Sequence, residues 1–408
     1  MYTIAIYLYA LAVRLASLTN RKARLMIKGH RKTWRTLRDH AKERQHYVWF
    51  HAASLGEFEQ GRPLMERLRR EHPEKRILLT FFSPSGYEVR KDYAGADLVC
   101  YLPFDTPLNA RRFVRLVQPE KAFFIKYEFW HHYIDELHRA GVPVYSVSSI
   151  FRNDQIFFRP YGRGYARVLH HFNHFFVQNE ASRRLLNSLG VTQVSVTGDT
   201  RFDRVIDIRN QAKSLPLAAA LTGDSRTIVA GSTWPPDEEI LIPYFNRHPE
   251  LKLIIAPHEV NEERLRSIEQ RLKRPALRYS QATPESSAQA DCLIIDGYGL
   301  LSSLYRYATL AYVGGGFGVG IHNTLEAATF GLPIAFGPNY EKFKEARDLV
   351  TLGAATPIHS YEELKTWFTP LRDDEHLLQQ CSRIAKDYTT AHQGATNIVL
   401  HTVFGKPE

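Results

Sequence analysis

The sequence predicts an α/β protein with two doubly wound, Rossmann-like halves facing a cleft, preceded by an apolar N-terminal helix. Three observations predict it. From Tyr47 onward, short β-rich apolar runs alternate with amphipathic helical patterns, the order of a parallel sheet with helical crossovers. The alternation pauses over Val205 to Ser225 and restarts at Arg226. And Gly314 to Pro338, GGGFGVGIHNTLEAATFGLPIAFGP, packs strand, glycine loop, short helix and strand into one βαβ unit.

The elements follow in chain order. Met1 to Thr19 is almost wholly apolar, broken by Arg14 and small hydroxyls. Arg21, Lys22, Arg24, Lys28, Arg31, Lys32, Arg35, Arg38, Lys42 and Arg44 follow, opposed by Asp39 and Glu43. An apolar segment ahead of dense positive charge reads as a membrane anchor with a cytoplasmic basic flank, so residues 1–45 form a unit of their own. The segment is borderline for a span of about 20 residues. A signal peptide carries its charge before the apolar core rather than after it; an ordinary core helix is the remaining alternative.

Residues 46–204 form the first half. Strands are expected at Tyr47–His51, Arg76–Phe82, Leu98–Leu102, Ala122–Ile125 and Val142–Val147, with a helix over Phe58–Glu71. Residues 205–225, polar and then Ala-rich, read as a helix and connector, the linker between the halves. In the second half, 226–408, strands are expected at Arg226–Ala230, Lys252–Ala256, Cys292–Ile295, Leu310–Val313 and Ile334–Phe336.

A chain of 408 residues has room for two sizeable cores. Its net charge of +10 points to an anionic partner. The three cysteines, Cys100, Cys292 and Cys381, lie far apart without a CxxC pair, which fits a reducing compartment and no disulfide framework.

Ligands of open α/β sheets bind beyond the carboxyl ends of the strands, and the polar residues there are the candidates. Glu57, in Ser54-Leu55-Gly56-Glu57, follows the first strand; it is either a general base or a helix-start carboxylate complementing the dipole. Glu128, in Lys126-Tyr127-Glu128-Phe129-Trp130, follows the fourth strand on the same edge. Arg201, in Gly198-Asp199-Thr200-Arg201-Phe202-Asp203, is either a cation for a leaving group or part of a surface ion pair. Ala230-Gly231-Ser232-Thr233 fits a short anion-binding turn. In the Gly314–Pro338 segment, the glycines would admit a ligand close to the backbone, the helix start would face a phosphate, and Glu326 would suit a ribose. No P-loop, HExxH or metal-binding carboxylate cluster is found, and the glycine run does not fit a dinucleotide fingerprint.

HAASLGEFEQGRPLMERL, FFSPSGYE, YLPFDTP, YEFW, GDTRFD, AGSTWPPDEE, VGGGF and HNTLEAATFGLPIAFGP, taken in order with the anchor, resemble the 3-deoxy-D-manno-octulosonic acid (Kdo) transferases of Gram-negative lipid A assembly. The resemblance runs from the anchor to about residue 345. It implies a GT-B fold. It also implies inverting, metal-independent transfer of Kdo from CMP-Kdo to a hydroxyl of the lipid A precursor, lipid IVA, without a cofactor, at the cytoplasmic face of the inner membrane. Carried over position by position, Glu57 matches the general base, and Glu128 and Arg201 match residues that stabilise the transition state. Pro257, His258, Tyr298, Gly299, Leu300, Asn323, Thr324, Leu325 and Glu326 match the CMP contacts. There are departures. Arg201 stands where many members have lysine. Pro-Arg-His becomes Pro257-His258-Glu259, an acid is replaced by Leu300, and a frequent proline by Thr324.

The basic charge then belongs to anionic lipids rather than nucleic acid, because it is concentrated behind the anchor and not spread along an aromatic-lined groove. The competing readings are another GT-B enzyme using a UDP-sugar, a nucleotide-sugar epimerase, and a non-enzymatic nucleotide- or nucleic-acid-binding protein.

Overall fold

A computed structural model describes residues 2–41 and 46–405. Met1, the flank residues Lys42, Glu43 and Arg44, and the last three residues of the second predicted domain lie outside the described residues. The chain divides into two units, one formed by Met1–Arg204 with Gln393–Glu408, the other by Val205–His392.

The first unit holds a seven-stranded parallel sheet: β1 (Tyr47–Ala52), β2 (Arg76–Phe81), β3 (Leu98–Tyr101), β4 (Pro119–Ile125), β5 (Val144–Ser149), β6 (His174–Val177) and β7 (Val194–Val196). Its order is β3-β2-β1-β4-β5-β6-β7. Strands covered on both faces read as continuous apolar runs. Every residue of β1 is buried, and His51 is the polar exception in that run. Trp49 packs edge-on against Phe124 and Tyr133, fixing the centre of the core.

The second unit repeats the architecture with β8 (Thr227–Thr233), β9 (Lys252–Pro257), β10 (Ala276–Arg278), β11 (Cys292–Ile294), β12 (Leu310–Val313), β13 (Ile334–Phe336) and β14 (Ala355–Pro357), in the order β10-β11-β9-β8-β12-β13-β14. The sequence reading had missed β6, β7, β10 and β14, each only three or four residues long.

Two boundaries differ from the sequence reading. Residues 205–225, read as the linker, belong to the second unit. They contain the helix Pro216–Thr222, whose Ala218 and Leu221 are buried. The preceding segment is tied to the second unit by Lys213 N donating to Ser303 Oγ (3.1 Å) and Leu215 N to Tyr307 Oη (2.7 Å). The helix Ala395–Phe404, assigned from the sequence to the second domain, packs into the first: Val399 and Leu400 join its core, and Phe404 stacks near Phe123. Asp203 holds its start, accepting from Gly394 N (2.6 Å) and Thr396 N (2.7 Å).

At the N-terminus, α1 (Tyr2–Ala16) has 15 residues and meets α2 (Arg21–Ala41) at a bend of 115°. Among the described residues, no single helix is long and apolar enough to cross a membrane. Instead, α1 lies on the first unit. Ala10 is buried, Tyr9 stacks on Phe82, and Tyr2 Oη donates to Asp105 Oδ2 (2.6 Å). The opposite stripe, Ile4, Tyr7, Leu8, Leu11 and Leu15, is exposed. On α2, Met26, His30, Thr33 and Leu37 face inward, and Arg21, Lys22, Arg24, Lys28, Arg31, Lys32, Arg35 and Arg38 face solvent. The two helices thus place an apolar stripe and a cationic face side by side in the chain.

Candidate active site

In each sheet the strand order reverses at one central pair, β1/β4 in the first unit and β8/β12 in the second, and the carboxyl ends of such a pair open a crevice. The predicted acids stand at the first of these. After β1, Ser54 leads into α3 (Leu55–Glu71), and Glu57 occupies its first turn. Glu57 Oε2 accepts from Ser54 N (2.8 Å) and Ser54 Oγ (3.0 Å), which fixes its direction. Burial and then the facing charge of Glu128 push its pKa up, with Ser54 and His51 opposing. A carboxylate held in place with a raised pKa is suited to accepting a proton near neutral pH.

Glu128 follows β4. Lys126, the first residue past that strand, takes a left-handed backbone, φ 68°, a conformation that a side chain adopts only when its surroundings impose it. Glu128 Oε2 accepts from Trp130 Nε1 (2.5 Å) and lies 3.2 Å from His51 Nε2. Trp130 has one proton and Glu128 is its nearer acceptor, so His51 Nε2 carries a proton towards Glu128. His51 Nδ1, 2.8 Å from Thr80 Oγ1, then accepts from that hydroxyl, and Thr80 accepts from Trp49 Nε1 (2.8 Å). This chain of donors, assigned from the network, runs from the core to Glu128. His51 was visible in the sequence only as a strand residue; a histidine inside a fully apolar run was the signal that could have found it. Beside Glu128 lies a pocket of about 380 Å³ walled by Tyr2, Ile6, Tyr127, Phe157 and Tyr165.

Arg201 begins the helix Arg201–Asn210. It is tied to the same helix as Glu57. Its Nε and Nη2 both reach Asp199 Oδ2 (2.9 Å), and Asp199, almost fully buried, also accepts from Gln60 Nε2 (3.1 Å), three residues beyond Glu57. Glu57, Glu128 and Arg201 therefore belong to one connected framework in the first unit.

In the second unit two of the glycines, Gly314 and Gly316, have a packing role that the sequence did not show. A Cβ on Gly314 would meet Ser232 O at 2.2 Å, and one on Gly316 would meet the backbone of Gly337 at 2.6 Å. Gly314 and Gly316 are small so that strand-end loops can touch each other. The loop is clamped by buried Asp237, which accepts from Trp234 N (2.8 Å), Gly315 N (3.0 Å) and Tyr312 Oη (2.9 Å). Asp237 was also missed; its place three residues after Trp234, in the first helical turn, marked it only as a cap. The helix after the loop, Leu325–Ala328, has four residues, and Leu325 N already donates to Asn323 Oδ1 (3.1 Å), so it offers little of the free N–H array expected for a phosphate. Thr233 of the expected anion turn donates to Glu238 (2.9 Å).

A pocket of about 430 Å³ does open on this face, lined by Trp234, His258, Phe317, Gly318, Gly320 and His322. Trp234, His258 and His322 stack in series, with centroids 4.7 and 4.5 Å apart. Of the predicted donor residues, only His258 lines this pocket. Pro257 ends β9 immediately before it. Asn323 Nδ2 donates to Glu326 Oε1 (3.0 Å), and Leu325 and Thr324 are buried. Burial, and then the nearby charge of Glu326, raise the pKa of Tyr305, and Tyr305 Oη borders Gly231. Tyr298 is largely exposed, with Gly299 (φ 86°) and Leu300 leading into the helix Leu301–Leu304.

Residues 26–204 match the family described as 3-Deoxy-D-manno-octulosonic-acid transferase (kdotransferase). A 3-deoxy-D-manno-octulosonic acid transferase of Chlamydophila psittaci is 29% identical over 321 residues, 75% of this chain and 73% of that protein. One of Aquifex aeolicus is 27% identical over 334 residues, 79% of this chain and 85% of that protein. Among solved structures, Acinetobacter baumannii MurG matches with TM-score 0.55 at 14% identity, covering 88% of this chain and 99% of that one. The UDP-GlcNAc 2-epimerase of Methanocaldococcus jannaschii matches with TM-score 0.52 at 13% identity, covering 85% and 99%. These two likenesses show the fold alone, which is the GT-B type.

Proposed function

We propose that the chain, which matches the Kdo transferase family over residues 26–204, is a glycosyltransferase of lipopolysaccharide biosynthesis that moves Kdo from CMP-Kdo to a hydroxyl of lipid IVA with inversion and without a metal in the reaction. The observation that carries this reading is Glu57, a carboxylate at a sheet switch point that is oriented by Ser54 and pushed towards protonation by burial and Glu128. A sugar hydroxyl is a poor nucleophile, so a base must take its proton as it attacks the anomeric carbon. Inversion needs only one such displacement. The anomeric centre gains positive character as CMP departs, and the charge of Glu128, held by His51 and Trp130, suits that cation. Arg201 balances the charge leaving with the phosphate. The pocket with the Trp234–His258–His322 stack offers flat surfaces to a cytosine ring, and Glu326 a carboxylate to a ribose.

The surface of α1 and α2 supports the same reading. An exposed apolar stripe beside eight exposed cations fits a helix lying in an anionic membrane surface, not spanning it. The acceptor carries acyl chains and phosphates and resides there; the pocket beside Glu128, walled in part by α1 residues Tyr2 and Ile6, fits its approach.

The test is an assay with CMP-Kdo and tetra-acylated lipid A precursor. CMP release with a Kdo-bearing lipid product is expected. Turnover with a UDP-sugar, and none with CMP-Kdo, would sink the proposal and favour another GT-B enzyme.

A further inference from the structure

The loop after β4 that delivers Glu128 also carries a cation that the proposed transfer chemistry does not use. Lys126 holds a left-handed backbone, φ 68°, with its N donating to Val147 O on β5 (2.8 Å). A lysine has no intrinsic preference for that conformation, so the packing around the strand end imposes it. Its Nζ stands over the Tyr127 ring, 5.4 Å from the centroid. Arg152, from the loop after β5, stands over the same ring. Its Cζ is 5.5 Å from the centroid, and its Nη1 donates to Tyr127 Oη at 3.3 Å. One tyrosine thus gathers two cations from two neighbouring strand ends.

Few acids answer them. Arg152 Nε lies 3.7 Å from Asp154 Oδ1, but both side chains are mostly exposed, and such a pair contributes little in water. Glu128 is already engaged by Trp130 Nε1 and faces His51 Nε2. Lys126 has no ion pair among the described residues. Tyr127 is also a wall of the pocket of about 380 Å³ beside Glu128, where Ile6, Ile156 and Phe157 supply apolar surface. Ile156 is left 45% exposed at that wall. An apolar hollow with two weakly paired cations at its edge matches a molecule that is apolar at one end and anionic at the other.

We propose that Lys126 and Arg152 bind a phosphate of the lipid acceptor while an acyl chain of the same molecule enters the pocket. The proposal rests on the reading of this site as a transferase for a phosphorylated acceptor lipid. A guanidinium takes a phosphate through two parallel N–H groups, and an ammonium adds a point charge beside it. Neither residue touches the reacting atoms. Both are positioning residues: Lys126 is two residues from Glu128, so a phosphate held there keeps the acceptor sugar beside the carboxylates. The cations of α2 meet a whole membrane surface, whereas this pair reads one molecule in it.

The test compares the full chain with the double variant Lys126→Met, Arg152→Met on two acceptors: tetra-acylated lipid A precursor with both phosphates, and the same lipid with its phosphates removed. The wild-type chain should favour the phosphorylated lipid in kcat/KM by about tenfold or more, the order of hydrogen bonds to a charged group. The variant should lose that preference through KM, with kcat at saturation little changed, and should match the wild type on the dephosphorylated lipid. Arg183→Met, at an exposed arginine elsewhere on the first unit, should keep the preference. Sedimentation with phosphatidylcholine vesicles carrying either acceptor, without donor, should show the same preference and its loss. Binding to phosphatidylglycerol vesicles should survive in the variant, because α2 supplies it. If circular dichroism shows the double variant unfolded, Arg152→Met alone decides, and it should lose part of the preference. A loss of equal size on both lipids, an intact preference in the variant, or no preference in the wild-type chain overturns the proposal. Absence of turnover with CMP-Kdo removes the transferase reading instead, and vesicle binding then decides this proposal by itself.

Discussion

The two sheets reverse strand order in the same way and build opposite kinds of crevice there. At β1/β4 the crevice is made by side chains, with His51, Glu57 and Glu128 joined to core donors through Thr80, Ser54 and Trp130. At β8/β12 it is made by the removal of side chains, where Gly314, Gly316 and Gly337 let loops meet backbone to backbone under a clamp from Asp237. One site holds charge where it is expensive; the other holds shape. The first should therefore fail chemically while staying folded, and the second should fail sterically before any chemistry is asked of it.

The largest expected effect separates chemistry from binding. Glu57→Gln should lower turnover by about 10²- to 10⁴-fold while CMP binds as before. It should also raise Tm. The folded state holds the Glu57 proton more tightly than the unfolded chain does, so stability is lost as pH rises from the ordinary glutamate range through the raised value. At neutral pH the charged group opposes folding, and glutamine removes that charge. Near-normal turnover in this variant would remove Glu57 as the base.

Next come the glycines. Gly314→Ala and Gly316→Ala should each destabilise the second unit by about 1–3 kcal/mol through overpacking, and weaken CMP binding with it. Gly318→Ala, whose Cβ would have only an ordinary contact at 3.5 Å, should do neither. Calorimetric unfolding and CMP titration on the three variants would break the comparison if Gly318 proved the most sensitive.

His51 comes third. His51→Phe removes the donor to Glu128 and should cost about tenfold or more in kcat, the order of a hydrogen bond to a charged group. His51→Gln retains an N–H and should recover part of it. Equal loss in both variants would make His51 a packing residue instead.

The smallest effect is a shift in a pH profile. The acidic limb of kcat/KM should fall at a pH above that of an ordinary glutamate, because Glu57 must be deprotonated to act. Glu128→Gln removes a charge that raises Glu57, so the limb should move to lower pH. A shift upward would mean that the two carboxylates are not coupled as the structure has them.

Much of this was legible beforehand. Alternation of apolar runs gave the central strands, since buried parallel strands leave long unbroken patterns, whereas the three-residue β7, β10 and β14 leave none. Glu57 and Glu128 were found because each follows such a strand. His51 and Asp237 were not, because their roles come from partners far away in sequence, Glu128 and Tyr312. In the glycine loop, Gly318 and Gly320 line a pocket while Gly314 and Gly316 spare a neighbouring loop, and the two kinds of glycine look alike in one dimension. The apolar N-terminus likewise shows its composition but not that Ala10 and Tyr2 would turn one face inward.

The helix Ala395–Phe404, capped by Asp203 and stacked near Phe123, also sets an order in time. As the chain leaves a ribosome, the first seven strands emerge early, yet their unit stays one helix short while nearly two hundred further residues are made. The second unit is contiguous, so it can close on itself during that wait. The half that carries Glu57 is therefore begun before the other and completed after it.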